Sequence, residues 1–198
     1  MPEESTLRPP EILLLAGPNG AGKTTSSRIL VPDGMVFVNA DIIARRLADE
    51  GHPPAGLDVN AGRIVLAEIR RLAGSHASFC LETNLAGRGM LRSIDRWRAA
   101  GYQVRLVFVA LHSPELALAR VAERVADGGH DIPEDVIRRR WQHGLNAFFR
   151  LYLGKVDTWT LIDNSETDPV TVARGYLASA PEFLDSARWD YFRALAGD

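Results

Sequence analysis

Residues 17 to 25 read GPNGAGKTT and fit G-x-x-x-x-G-K-[ST] at Gly17, Gly22, Lys23 and Thr24. Such a loop binds phosphate. Glycines let the backbone wrap an anion with its N–H groups turned inward, so Gly17, Pro18, Asn19, Gly20, Ala21 and Gly22 are assigned to the ATP cradle. A helix opening near Gly22 adds the positive end of its dipole. Lys23 is expected to reach the β- and γ-phosphates, the Thr24 hydroxyl to bind Mg²⁺, and Thr25 to complete the phosphate contacts.

Five further groups have the chemistry of a phosphoryl-transfer site. Asp41, after Asn39 and Ala40, can accept a proton from an acceptor hydroxyl, and Asp is also a common helix cap. Glu82 and Thr83 follow the apolar run Ser78–Leu81 and could hold the acceptor or, for Glu82, a water-bound Mg²⁺. Arg120, Arg124 and Arg138 to Arg140 lie on two helical patterns joined by Gly128-Gly129, a plausible lid over about 120–141. Arginine suits phosphate because its donors form a rigid fork, although Glu123, Asp127, Glu134 and Asp135 would also make this an ordinary solvated face. His130, in the glycine turn, is a candidate acceptor contact or a structural residue. Asp163-Asn164-Ser165 is either turn chemistry or the contact to the adenine base, with Asn164 the residue assigned to ATP.

The elements that must carry these residues follow from periodicity. Apolar runs at Ile12–Ala16, Met35–Val38, Ser78–Leu81, Val104–Leu111 and Thr158–Ile162 predict five strands. Helices are predicted from Lys23 to Leu30, from Asp41 to about Ala48, from Asp58, over Gly87–Ala100, from Pro114 to about Asp127, and from Pro133 to about Tyr152. Residues 169–178 and 181–196 also read as helical, although Phe183, Trp189, Tyr191 and Phe192 share no clean stripe. Strands alternating with helices give a parallel sheet whose strand ends gather the ligand site. Residues 1–10, with three prolines, read as a flexible arm ahead of a single domain over 11–198.

Composition narrows the function. Among 198 residues, Lys and Arg total 23 against 25 Asp and Glu, so nothing draws the chain globally to nucleic acid or membrane. The one cysteine, Cys80, permits no intramolecular disulfide and reads as a buried, inert thiol. No long apolar segment or signal-like start occurs, which predicts a cytoplasmic protein. No [NT]-K-x-D guanine element stands after a strand, and no LSGGQ occurs.

Taken together, GPNGAGKTT (17–25), FVNAD (37–41), FCLETN (79–84), RVAERVADGGHDIP (120–133), RRRW (138–141) and IDNS (162–165) resemble the zeta toxin family of P-loop kinases, in that family's order. The resemblance implies ATP·Mg²⁺-dependent phosphorylation of a UDP-amino sugar such as UDP-N-acetylglucosamine, and a possible separate antitoxin. It implies that Asp41 is the base, that Glu82 and Thr83 contact the substrate, and that Arg120 or Arg124, with Arg139 or Arg140, are lid arginines. Lys23, Asp41, Arg120, Arg124 and Arg139 are assigned to catalysis, and Asn39 and His130 join Asp41, Glu82 and Thr83 on the substrate side. Asn84 departs from the second threonine common in that family. The expected fold is a three-layer α/β P-loop kinase with a five-stranded parallel sheet, order 2-3-1-4-5. A small-molecule kinase with another hydroxyl acceptor and a nucleotide-binding regulatory ATPase are the alternatives.

Overall fold

The computed structural model describes residues 9–53, 56–129 and 131–197. Its centre is β1 (Glu11–Ala16), paired in parallel with β3 (Phe79–Thr83) on one side and β4 (Gln103–Ala110) on the other. β2 (Val36–Val38) flanks β3, and β5 (Thr158–Asp163) flanks β4, all parallel. Ile12 to Ala16 are wholly buried, so both faces of the sheet are covered at β1, as its uninterrupted apolar run requires. Helices α1 (Lys23–Leu30), α2 (Ala40–Asp49), α3 (Leu57–Gly74), α4 (Leu91–Ala99), α5 (Pro114–Ala126) and α6 (Glu134–Ala147) connect these strands, α6 running into a π-helical turn, Phe148–Tyr152.

The expected strand order 2-3-1-4-5 is present, but the sheet does not stop at five strands and is not all parallel. Among the described residues it has seven, in the order β2-β3-β1-β4-β5-β6-β7. β6 (Val170–Tyr176) and the two-residue β7 (Glu182–Phe183) run antiparallel. Residues 169–178, expected to be helical, therefore form a strand. The β-branched start Val170-Thr171-Val172 suits a strand, and pairing with β5 buries Val172 and Ala173 completely. Gly175 sits opposite Trp159, and an added Cβ there would fall 2.5 Å from the indole. Only the end of the last predicted helix is helical, as α7 (Ser186–Leu195), where Trp189 and Phe192 face inward while Tyr191 stays half exposed. Trp189 stacks on Trp159 at 5.6 Å and meets Phe149 edge-on at 5.0 Å, seating α7 on the sheet.

Of the N-terminal arm, residues 1–8 lie outside the described residues, and the Pro10 carbonyl accepts from Gln103 N at 2.9 Å. Among the described residues no helix is long and apolar enough to cross a membrane.

Candidate active site

The turn between β1 and α1 has a backbone that only glycine permits at three places. Gly17, Gly20 and Gly22 have φ of +143°, +77° and +80°. A Cβ on Gly17 would lie 2.2 Å from Val109 O, one on Gly20 2.7 Å from Ala117 O, and one on Gly22 2.7 Å from Asn164 Nδ2. The loop is thus pressed against the end of β4, against α5 and against the turn after β5. Gly22 caps α1 without a side chain, so the first-turn amides have no side-chain acceptor and can face an anion.

Lys23 is buried. Its ammonium donates to Gly17 O at 2.9 Å and Pro18 O at 2.8 Å and lies 3.7 Å from Glu82 Oε1. Burial lowers its pKa, and the carboxylates of Glu82 and Asp41 oppose that shift. Glu82, the last residue but one of β3, lies opposite Leu15 and is the hub of the site. Its Oε2 accepts from Asn39 Nδ2 at 2.7 Å and from Thr24 Oγ1 at 3.2 Å.

Asn39 rather than Asp41 caps α2. The Asn39 Oδ1 accepts from Asp41 N at 2.7 Å and Ile42 N at 3.1 Å. The cap must sit one residue before the helix, and Asp41 is already in its first turn. That leaves the exposed Asp41 carboxylate turned to the cleft, with no hydrogen bond to it among the described residues. Thr83 also lines the cleft, although its hydroxyl already accepts from Leu85 N at 3.1 Å. The cleft encloses about 300 Å³ between the loop, the ends of β2 and β3, and α5.

The arginines divide. Arg120 and Arg124 reach the cleft from α5. Arg120 is anchored there, donating to Asn164 O at 2.7 Å and Ser165 O at 3.3 Å. Arg139, assigned to catalysis from the sequence, is exposed and does not line the cleft. Its neighbour Arg140 does the reaching, donating to Asn19 Oδ1 in the loop at 3.2 Å. Arg138 pairs with Glu115 and Glu134, the solvated face that was the alternative for this cluster. Adjacent helix positions diverge by about 100°, so one residue decides which arginine faces the loop. His130 lies outside the described residues.

Asn164, assigned to ATP, turns its amide onto the loop, where Nδ2 donates to Ala21 O at 2.9 Å. Cys80 is fully buried and its thiol pKa is pushed up to about 12, by burial first and by the Glu82 charge second, in keeping with an inert thiol. Among the described residues no cluster of three or more His, Cys, Asp or Glu side chains could hold a metal by itself. Thr24 and Glu82 do offer a hydroxyl and a carboxylate within 3.2 Å of each other, the oxygen donors that Mg²⁺ takes alongside phosphate.

A family model described as AAA domain matches residues 12–151. The chain belongs to that family. It is 27% identical over 129 residues to an uncharacterised protein of Haemophilus influenzae, a match covering 65% of this chain and 91% of that one. Its fold is similar to a solved structure of AvrRxo1-ORF1:-ORF2 with ATP (TM-score 0.77, 18% identity, 92% of this chain). The chain spans only 63% of the length of that match. It is also similar to a structure from the PezAT chromosomal toxin–antitoxin system of Streptococcus pneumoniae (TM-score 0.63, 16% identity, 98% of this chain and 88% of that one). The architecture is a P-loop kinase-like α/β fold.

Proposed function

We propose that the protein is an ATP-dependent phosphotransferase that moves the γ-phosphoryl group to a hydroxyl of a small molecule, with a UDP-amino sugar such as UDP-N-acetylglucosamine as the acceptor. One observation carries this reading: a carboxylate with no hydrogen bond among the described residues, Asp41, shares one cleft with the phosphate loop, while the second carboxylate, Glu82, is tied to Lys23, Thr24 and Asn39. A carboxylate so placed beside the phosphate loop can take the proton of an acceptor hydroxyl.

The loop amides and Lys23 hold the phosphates. Lys23 needs only to leave two backbone carbonyls to meet the γ-phosphate, and burial strengthens each of its electrostatic contacts there. Asp41 takes the proton of the acceptor hydroxyl as that oxygen bonds to the γ-phosphorus and the bond to the β-phosphate oxygen breaks, leaving ADP. Arg124 and Arg120 line the side where charge accumulates on the transferring group. Thr24 and Glu82 are the residues that would hold Mg²⁺, which neutralises phosphate charge when bound. In this reading the helices carrying Arg120, Arg124 and Arg140 act as the lid, and an antitoxin would be a separate chain.

A second reading has its own support. Beside the cleft, sharing Thr83, lies a hollow of about 350 Å³ walled by Leu66, Leu85, Met90 and Trp97 with no charged side chain in its lining. That lining favours an acceptor with an uncharged apolar part over one carrying a diphosphate.

The test is mass spectrometry after incubation with ATP·Mg²⁺ and a panel of UDP-sugars, nucleosides and simple sugars, with Asp41→Asn as control. A gain of one phosphoryl on UDP-N-acetylglucosamine, absent in the control, is the expected result. Transfer only to another hydroxyl would keep the kinase and replace its acceptor. Tight ATP binding without transfer to anything would leave a nucleotide-binding regulator.

A further inference from the structure

We infer that Arg188, on α7 and outside the matched region, is a positioning residue for the nucleotide site. The inference rests on the ATP reading above.

Side chains alternate along β5, and Trp159, Leu161 and Asp163 fall on its buried face, leaving Asp163 only 5% exposed. A carboxylate in that position needs a cation or several donors. Asp163 has both. Its Oδ2 accepts from Arg188 Nη1 at 2.5 Å, and its Oδ1 accepts from Ser165 N at 3.0 Å and from the Ser165 hydroxyl. The same guanidinium also meets Glu166 at 2.9 Å and Asp185 at 3.2 Å, so one arginine serves three carboxylates.

The turn held in this way faces the phosphate loop. Asn164, between the two partners, donates its backbone N–H to Ala110 O at 3.0 Å and its side-chain amide to Ala21 O at 2.9 Å. The carbonyls of Asn164 and Ser165 receive the Arg120 guanidinium. Ser165 Oγ accepts from His112 N at 2.8 Å at the end of β4. Arg188 therefore fixes the turn that sets the shape of the loop at Ala21 and aims Arg120 along the cleft. Removing it leaves a buried carboxylate without its cation, and the turn must open to hydrate it. The loop and Arg120 lose their support together.

A mere anchor for α7 would behave differently. That helix is also seated by Trp189 and Phe192, and Tyr191 OH donates to His112 O at 3.1 Å. Any variant that loosens this seat would then act like loss of Arg188.

The experiment is calorimetric titration of the full chain with ATP·Mg²⁺ at a temperature where every variant is folded by circular dichroism. It compares wild type, Arg188→Ala, Arg188→Lys and Phe192→Leu, with melting temperatures measured alongside. Arg188→Ala is expected to weaken ATP binding at least tenfold and Arg188→Lys about threefold, because an ammonium keeps the charge but not the fork. Phe192→Leu is expected to lower the melting temperature while keeping the wild-type ATP affinity. Wild-type affinity in both arginine variants, or equal losses in Phe192→Leu and Arg188→Ala, overturns the inference. If Arg188→Ala does not fold, Arg188→Lys against Phe192→Leu decides. Absence of ATP binding in wild type would instead overturn the ATP reading, and this inference with it.

Discussion

Asn39 and Glu82 are joined by a 2.7 Å hydrogen bond from Nδ2 to Oε2, while the Asn39 oxygen caps α2 two atoms away. One amide therefore fixes both the helix that presents Asp41 and the carboxylate beside Lys23 and Thr24. Asn39→Ala removes the cap, worth ~1 kcal/mol, and a donor to a carboxylate, worth ~2 kcal/mol. Urea unfolding should show a loss of about 2 to 3 kcal/mol. Asn39→Ser keeps a capping oxygen but is too short for Glu82, and should lose about two thirds as much. Wild-type stability in both variants would sink this account of the residue.

The phosphate loop should tolerate no side chain at Gly17. With φ at +143° and Val109 O 2.2 Å from the new Cβ, Gly17→Ala is expected to cost at least about 3 kcal/mol and to abolish ATP binding. Gly34→Ala is the control. It shares a positive φ but meets nothing within 4 Å, and should cost about 1 kcal/mol. Thermal melts of the two variants check the contrast.

Cys80 should make the protein sensitive to alkali. Its thiol pKa rises from 9.0 to about 12 on folding, so between these values the folded state holds a proton that the unfolded state has released. Stability then falls as pH rises above about 9, by at most ~1.4 kcal/mol per pH unit from this one group. Cys80→Val should remove that slope. Denaturation at pH 8 and pH 10 in both proteins gives the comparison, and an unchanged slope would contradict the assigned cause.

Lys23 and Asp41 should separate binding from chemistry. Lys23→Ala is expected to abolish transfer and weaken ATP binding at least about tenfold, because a buried ammonium aimed into the loop is lost. Asp41→Ala is expected to lower kcat by ~10³ while ATP affinity stays within about threefold. A large loss of ATP affinity in Asp41→Ala would move that residue from the acceptor side to the metal side of the cleft.

Most of what positions these residues is legible in the chain. GPNGAGKTT with an apolar run before it, together with the apolar runs of β3, β4 and β5, carries the order 2-3-1-4-5 and brings Asp41, Glu82 and Arg124 to one end of the sheet. The rest was hidden for physical reasons. In β6 the stretch Ala173-Arg174-Gly175 blurs the alternation, because the glycine makes room for Trp159 and the strand shifts register at Leu161/Ile162. The run Arg138-Arg139-Arg140 looks uniform, yet the three side chains point to a solvated face, to solvent and to the loop. Arg188 has no local signal, since its partner Asp163 is a long-range neighbour created by folding α7 onto the sheet.

In the proposed reaction the cleft passes the γ-phosphoryl group of ATP to a hydroxyl, with Asp41 as the base. The most direct measurement follows γ-³²P-ATP in single turnover with the acceptor panel, for wild type and Asp41→Asn at equal ATP occupancy. Label on an organic acceptor with wild type, and a loss of ~10³ in rate for Asp41→Asn, are expected. Label released only as inorganic phosphate, or equal transfer by both proteins, would contradict that reaction.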